Sequence, residues 1–379
     1  MRFCPNGKMA VISISIEKPK RIFQRIQIRE RIMAERSYKI DNIRCILIFC
    51  VVLGHLIEFV DGAGIKNIYK IIYSFHVPAF IFITGYLSSF KPKKIVLSLI
   101  YPYCLFQILY IIFNKAVLNN QIELQFTTPH WLLWYLFAII AYYCMIPLIK
   151  TDRKGVRTII TLLSFAVSVL AGVDDSVGRY LSLSRILTFL PFFVIGYYMR
   201  HSSHADTKKI HLYDMIKKYR ITTVLLSFIS VVLASCYICS SNKITKVVLY
   251  CSYSYDAAGY TPAVRMAVIL IAFCWLLFLW RAVPEKKICI ISSLGANTLP
   301  IYLLHGFAVY MIRTTNLFSY SEVQNLLLAA CISILMMLLF GNRLTAAPFR
   351  CACTGNWIFD LYEFCSEKAA DITAQRRKA

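Results

Sequence analysis

Two histidines set in apolar surroundings are the residues of this chain best suited to proton chemistry. The first ends a run that opens Tyr38-Lys39-Ile40-Asp41-Asn42-Ile43-Arg44 and continues, almost wholly apolar, to Val52-Leu53-Gly54-His55. The second lies in Tyr73-Ser74-Phe75-His76-Val77-Pro78-Ala79-Phe80, which leads to Gly85-Tyr86. Histidine changes charge near neutral pH and serves as a general base or acid. A titratable side chain inside lipid is costly, so it faces a cavity or a partner. Glu58 stands three residues after His55, on the same helical face, where a carboxylate can orient the imidazole. Asp41 and Arg44 share the spacing i, i+3; an ion pair at a helix start and a paired anion-binding cation are both readings of it. For each histidine the structural alternative is a buried ring satisfied by a backbone carbonyl.

The elements that must position these groups are membrane spans. Of 379 residues, 58% are hydrophobic and 16% charged, with a mean hydropathy of +0.60. Soluble domains are about a quarter charged. The apolar residues gather in runs of roughly 20, the length that crosses about 30 Å of hydrocarbon. The expected fold is therefore all-α, a polytopic membrane protein. Ten spans are predicted at roughly 41–60, 68–90, 95–114, 130–149, 157–173, 183–200, 221–240, 262–282, 294–313 and 323–342. Pro191 and Pro300 are expected to kink the sixth and ninth.

The net charge of +23 would suit nucleic-acid binding in a soluble protein. Here the basic residues sit between apolar runs, so the positive-inside rule accounts for them and no nucleic-acid partner is expected. Segments 1–40, 91–94, 150–157, 200–220, 281–287 and 343–379 hold 32 of the 42 Lys and Arg residues. Ten spans with both termini cytoplasmic place all six on one side. No cleaved signal is expected before the first span, and residues 1–37 read as a basic extension. Residues before Met33 are expected to be dispensable or to reflect an early start. Residues 38–345 form the membrane domain and 346–379 a basic tail.

The 14 cysteines mostly lie inside apolar runs, where they behave as small hydrophobes. No spacing suggests a zinc site or a disulfide framework, and no metal is expected. His201, His204 and His211 fall in a charge-rich connector, 201–220, read as solvated. Tyr250, Tyr253, Tyr255 and Tyr260 crowd the long loop 241–261, as interfacial anchors or as contacts to a sugar.

Depth sorts the polar residues. In the ten-span arrangement His55 lies roughly 7 Å, and His76 about 12 Å, from the outer side, at 1.5 Å per residue. His130, in Thr128-Pro129-His130-Trp131-Leu132-Leu133-Trp134, opens the fourth span at the outer face, and Arg185 lies near the outer end of the sixth. His305, in Thr298-Leu299-Pro300-Ile301-Tyr302-Leu303-Leu304-His305, also falls in the outer half. Asp41, Arg44, Lys91, Lys93 and Lys94 mark the inner side, a positive mouth suited to a phosphate-rich cytosolic ligand.

The order of Asp41, Arg44, Gly54-His55, Phe75-His76-x-Pro78-x-Phe80 and Gly85 resembles the acyltransferase 3 family of integral membrane O-acyltransferases. The resemblance spans about residues 38–345 and is strongest over 38–102. It continues in Tyr101-Pro102-Tyr103, in Arg185 followed by Pro191-Phe192-Phe193 and Gly196, and in the segment closing with His305. It implies a ten-span core, acyl-CoA (often acetyl-CoA) as co-substrate with no bound cofactor, and a carbohydrate hydroxyl as acceptor. It assigns the base to His55, and the i, i+3 spacing adds Glu58 as the group that orients it. His76 is then a base partner, an acyl acceptor or an oxyanion donor. Donor binding falls to Asp41, Arg44, Lys91 and Lys94. Relatives carry Arg-x-x-Arg where this chain has Lys91-Pro92-Lys93-Lys94, which keeps the charge but not the guanidinium fork. His130, Trp131, Trp134, Arg185 and His305 fall on the acceptor side, with Asp175 or the acceptor as partner to Arg185. No Gly-x-Ser-x-Gly elbow is present, which argues against a serine acyl-enzyme. The expected activity is O-acetylation of a cell-surface polysaccharide or lipid-linked glycan precursor, in the inner (cytoplasmic) membrane of a bacterial-type cell envelope. A polysaccharide or small-molecule exporter is the alternative, and a structural partner in a glycan-synthesis complex a third.

Overall fold

The computed structural model describes residues 37–119, 123, 125–178, 180–201, 220–353 and 355. The basic extension before residue 37, most of the connector with His204 and His211, and the tail beyond 355 lie outside the described residues, as does the side chain of Lys94. The described chain is all helical. The helices of five or more residues are α1 (Tyr38–Ile57), α2 (Ala63–Leu87), α3 (Val96–Ala116), α4 (Trp131–Ile149), α5 (Lys154–Leu170), α6 (Leu183–His201), α7 (Arg220–Ser240), α8 (Lys246–Tyr250), α9 (Pro262–Ala282), α10 (Cys289–Ala296), α11 (Thr298–Arg313), α12 (Glu322–Gly341) and α13 (Arg343–Cys353).

Eight of these are long and apolar enough to cross a membrane: α1, α2, α3, α4, α6, α7, α9 and α12. The protein is thus an all-α polytopic membrane protein. The expected fifth span is the 17-residue α5, about 26 Å long at 1.5 Å per residue, short for a bilayer. The expected ninth is broken. Its N-terminal part belongs to α10, the chain turns at Asn297, and α11 restarts at Thr298. Asn297 fixes the break by donating from Nδ2 to the Gly341 carbonyl at 2.8 Å. Pro300 therefore lies in the first turn of α11, where its missing N–H costs no helical bond, and not at a mid-span kink.

Burial separates central helices from peripheral ones. Of the most apolar 18-residue stretch, 72% is buried in α1, 67% in α6 and 61% in α2, against 28% in α12 and 17% in α7. α1 packs on α2, α10, α11 and α12. Its start is tied to the α9–α10 connection, where Asn42 Nδ2 donates to the carbonyls of Pro284 (3.1 Å) and Lys286 (3.0 Å). α2 and α6 approach backbone to backbone. A Cβ at Gly85 would run into the Phe193 carbonyl, and one at Gly196 into that of Phe82. Small residues allow such contact in membranes, where packing rather than water expulsion joins helices. Between these helices Phe75, Phe82, Phe192, Phe193 and Tyr142 form the largest core cluster.

α13 spans the boundary expected at residue 345. Ala346 and Cys353 are buried, Phe349 lies 5.9 Å from the Phe106 ring, and the Gly355 N–H donates to the Leu97 carbonyl at 2.9 Å. An apolar face on this helix joins it to the bundle.

Candidate active site

Six long helices surround one cavity of about 720 Å³. α1 contributes Arg44, Ile48, Val51 and His55, and Glu58 follows at its end. α2 contributes Tyr73, His76, Phe80 and Thr84; α4 and the turn before it contribute Trp131, Trp134, Tyr135 and Tyr143. Arg185 and Phe189 come from α6, Thr298 and Tyr302 from α11, and Tyr250, Ser252 and Tyr253 from the segment beyond α7. Arg44 and His55 lie on one wall, 11 residues apart, so the cavity runs about 16 Å along α1.

At one end stands His55, two residues from the C-terminus of α1. Its Nδ1 is 3.2 Å from the Tyr73 hydroxyl and 3.6 Å from Glu58 Oε2. The ring also meets Trp131 edge-on at 4.8 Å and stacks on His305 at 5.4 Å. With Nδ1 occupied by the carboxylate side, Nε2 is the nitrogen left to take a proton. Gly54 explains the Gly-His pair. A Cβ there would stand 3.0 Å from the Tyr73 ring, so the missing side chain lets Tyr73 lie against α1 and reach His55.

Glu58 is held from four directions. Tyr250 donates its hydroxyl to Oε1 at 2.6 Å, Lys246 Nζ lies 2.9 Å from the same oxygen, and Arg313 Nη2 lies 3.1 Å from Oε2, with His55 on the remaining side. Glu58 lies just past the last residue of α1. Burial opposes its charge, yet His55, then Tyr250 and Lys246, hold its carboxyl well below the usual carboxylate range. The Tyr250 phenol is pushed up by burial and by Glu58, so it stays protonated and donating. Tyr250 in turn accepts from the Tyr69 hydroxyl at 2.9 Å.

His76 lies deeper, about 20 Å along α2 from Ala63, because α2 begins five residues before the expected start. Its Nδ1 is 2.7 Å from the Ile72 carbonyl. A carbonyl only accepts, so Nδ1 carries the proton and a neutral His76 offers a lone pair at Nε2. In the neutral ring that arrangement suits a base or nucleophile, whereas donation to an oxyanion from Nε2 requires the imidazolium. Pro78 frees the Ser74 carbonyl, not that of Ile72, so it does not supply the acceptor for His76. His305 repeats the pattern, with Nδ1 3.0 Å from the Ile301 carbonyl; it is fully buried and its Nε2 meets no partner among the described residues.

The other end holds Arg44, whose Nη2 donates to Thr298 Oγ1 at 2.7 Å, with Leu87 and Ser98 nearby on the lining. Asp41 is buried one turn before it, its backbone against Gly295 of α10, where a Cβ would overlap the Asp41 carbonyl. Lys91 and Lys93 are exposed on the turn leading into α3. The lining of α3 includes Ser98 and Leu99 from a π-helical turn, Val96–Ile100.

Of the residues expected on the acceptor side, Trp131, Trp134 and Arg185 line the cavity. Trp131 has a left-handed backbone, φ 33°, a strained state for a bulky residue. Arg185 lies 4.6 Å above the Trp134 ring, with Nε 3.0 Å from the Tyr250 carbonyl and Nη2 3.4 Å from Ser252 Oγ. Asp175 accepts from the Ser254 hydroxyl. His130 is engaged outside the cavity: its Nε2 faces Asn114 Nδ2 at 3.2 Å and the Tyr310 hydroxyl at 3.1 Å. Tyr255 and Tyr260 enclose the buried guanidinium of Arg265 and so anchor the loop internally.

Sequence reasoning singled out neither Lys246 nor Arg313, and gave Tyr250 no link to Glu58. The one available signal was charge: each cation stands at the end of an apolar run nearest Glu58 in the expected arrangement.

Chemically, one end offers an imidazole backed by a carboxylate, the other a guanidinium, and a continuous void joins them. The model of an acyltransferase domain matches residues 37–341. The nodulation protein NolL of Mesorhizobium japonicum is 24% identical over 318 residues, covering 77% of this chain and 80% of its own. NolL of Sinorhizobium fredii is 42% identical over 59 residues, 14% of this chain and 16% of that protein. No solved structure matches. A match from α1 through α12, cavity included, places the chain in the acyltransferase 3 family, as a multi-pass membrane acyltransferase.

Proposed function

We propose that the protein moves an acyl group, acetyl in the first instance, from cytosolic acyl-CoA to a hydroxyl of a cell-surface carbohydrate or lipid-linked glycan precursor. It does so in the cytoplasmic membrane, with ten crossings and both termini inside. The observation that carries this reading is the single cavity joining Arg44 to the His55–Glu58 pair.

Arg44, with Lys91 and Lys94 on the adjoining turn, receives the phosphates of the donor, and the acyl thioester extends along the cavity toward His55. The acceptor hydroxyl approaches His55 Nε2, which takes its proton as the oxygen attacks the thioester carbonyl. Glu58 stabilises the imidazolium that forms. The tetrahedral intermediate collapses with cleavage of the C–S bond, and the thiolate leaves carrying the proton returned by His55. The products are the O-acyl ester and free CoA thiol. His76 lines the path between the two ends, and its Nε2 lone pair suits contact with the acceptor hydroxyl.

The test is thiol release from acetyl-CoA by protein in lipid nanodiscs, supplied with glycan extracts, for wild type, His55→Ala and Arg44→Ala. Release by wild type that is lost in His55→Ala, with a raised donor KM in Arg44→Ala, supports the assignment. Release undiminished in His55→Ala removes the proposed base. No release with any extract, together with glycan movement across vesicle membranes, favours the exporter.

A further inference from the structure

The end of the cavity that holds His55 carries more positive than negative charge. Among the described residues lining the cavity, Glu58 is the sole acid. It is shared by Lys246, at the start of α8, and Arg313, at the end of α11. Of the acids beside it, Asp61 is paired with Lys66 at 3.3 Å, and Glu322 accepts the Ile65 N–H at 2.6 Å and keeps its negative charge. Arg185 adds a third cation on the cavity wall.

One carboxylate balances one of the two cations it holds. The side chains of Lys246 and Arg313 are 44% and 30% exposed, so each keeps donors that Glu58 does not use. The positive charge that grows on His55 during proton transfer meets this surplus at close range. An anion docked across Lys246 and Arg313 removes that repulsion and steers its carrier to the mouth. The aromatic faces of Trp131 and Tyr250 stand beside the same cations, with Arg313 5.2 Å over Trp131 and Lys246 5.7 Å over Tyr250.

We propose that the acceptor is an anionic glycan, whose carboxylate or phosphate group sits between Lys246 and Arg313 while a neighbouring hydroxyl faces His55 Nε2. This rests on the O-acyltransferase reading and names its substrate class.

The experiment reads binding, so it does not depend on turnover. Thermal unfolding of detergent-solubilised protein is followed with methyl glucoside, methyl glucuronide and glucose 1-phosphate, for wild type, Lys246→Gln and Arg313→Gln. The charged probes raise Tm by a few degrees at saturation and the neutral probe does not. Each substitution weakens the apparent affinity for the charged probe roughly tenfold, the loss of one charge-assisted hydrogen bond. The two charged probes distinguish an acidic sugar from a sugar phosphate. Equal shifts with neutral and charged probes, no shift with any probe, or a charged-probe shift that survives both substitutions overturns the proposal. Failure of the enzyme reading is seen separately, as absent thiol release.

Discussion

Replacing Glu58 by Gln tests whether the carboxylate works through His55. The change keeps size and shape while removing the charge. In the native arrangement Oε2 lies 3.6 Å from His55 Nδ1. A carboxylate and an imidazolium at that distance attract by about 4.6 kcal/mol at an effective dielectric of 20. Lys246 and Arg313 occupy part of the same carboxylate, so roughly 2–3 kcal/mol remains for the transition state. That corresponds to a fall in kcat of about 30- to 160-fold. The donor KM should hardly move, because Arg44 is about 16 Å from His55 along α1 and farther still from Glu58. Thiol release under saturating donor measures kcat directly. In a His55→Ala background, itself down by about 10²–10⁴-fold, the second substitution should cost almost nothing, since its target is gone. A Glu58→Gln enzyme within twofold of wild type would refute the reasoning. So would an equal penalty in the two backgrounds, which would make Glu58 a purely structural brace.

Arg44→Ala is expected to raise the donor KM by about tenfold or more, with a smaller effect on kcat, and Arg44→Lys to restore part of the loss; initial rates across a donor titration decide this. Gly85→Ala forces a methyl group into the Phe193 carbonyl, so α2 and α6 must part, and a loss of about 1–3 kcal/mol is expected as a lowered unfolding temperature in detergent. His130→Phe removes the acceptor for Asn114 and Tyr310 while leaving the cavity lining intact. It should cost about 1 kcal/mol in stability and leave thiol release within twofold to threefold of wild type.

The sequence pattern carried the long apolar helices well, because an apolar run of about 20 residues has few other uses. It also gathered His55, His76, Arg44, Trp131, Trp134 and Arg185 into one proposal, and all six line one cavity. Local spacing reached the His55–Glu58 contact, an i, i+3 neighbour relation that the helix enforces. It could not reach the other partners of Glu58. Lys246 and Arg313 lie 188 and 255 residues downstream, and no periodicity records which helix ends meet across a bundle. His130 stands off the cavity lining for a related reason. It precedes two residues that do line the cavity, but the Trp131–Leu133 turn sends successive side chains in different directions. The break at Asn297 fell inside an expected span: Gly295, Asn297 and Pro300 are turn-forming types, but it is the contact with Gly341 that locates the turn.

The histidine geometry has a consequence for the energised membrane. A line of histidines through a bilayer is also how proton conductors are built, each ring accepting at one nitrogen and releasing at the other. His76 and His305 cannot do this readily, because each spends its Nδ1 proton on a carbonyl of its own helix. A proton arriving at Nε2 therefore has no onward exit through the ring. In the proposed reaction the proton taken from the acceptor leaves on the thiol while the acyl group moves the other way, so no net charge crosses. On the proposed reading an acyl group moves along the cavity in exchange for that proton, and neither histidine relays a further one through its ring.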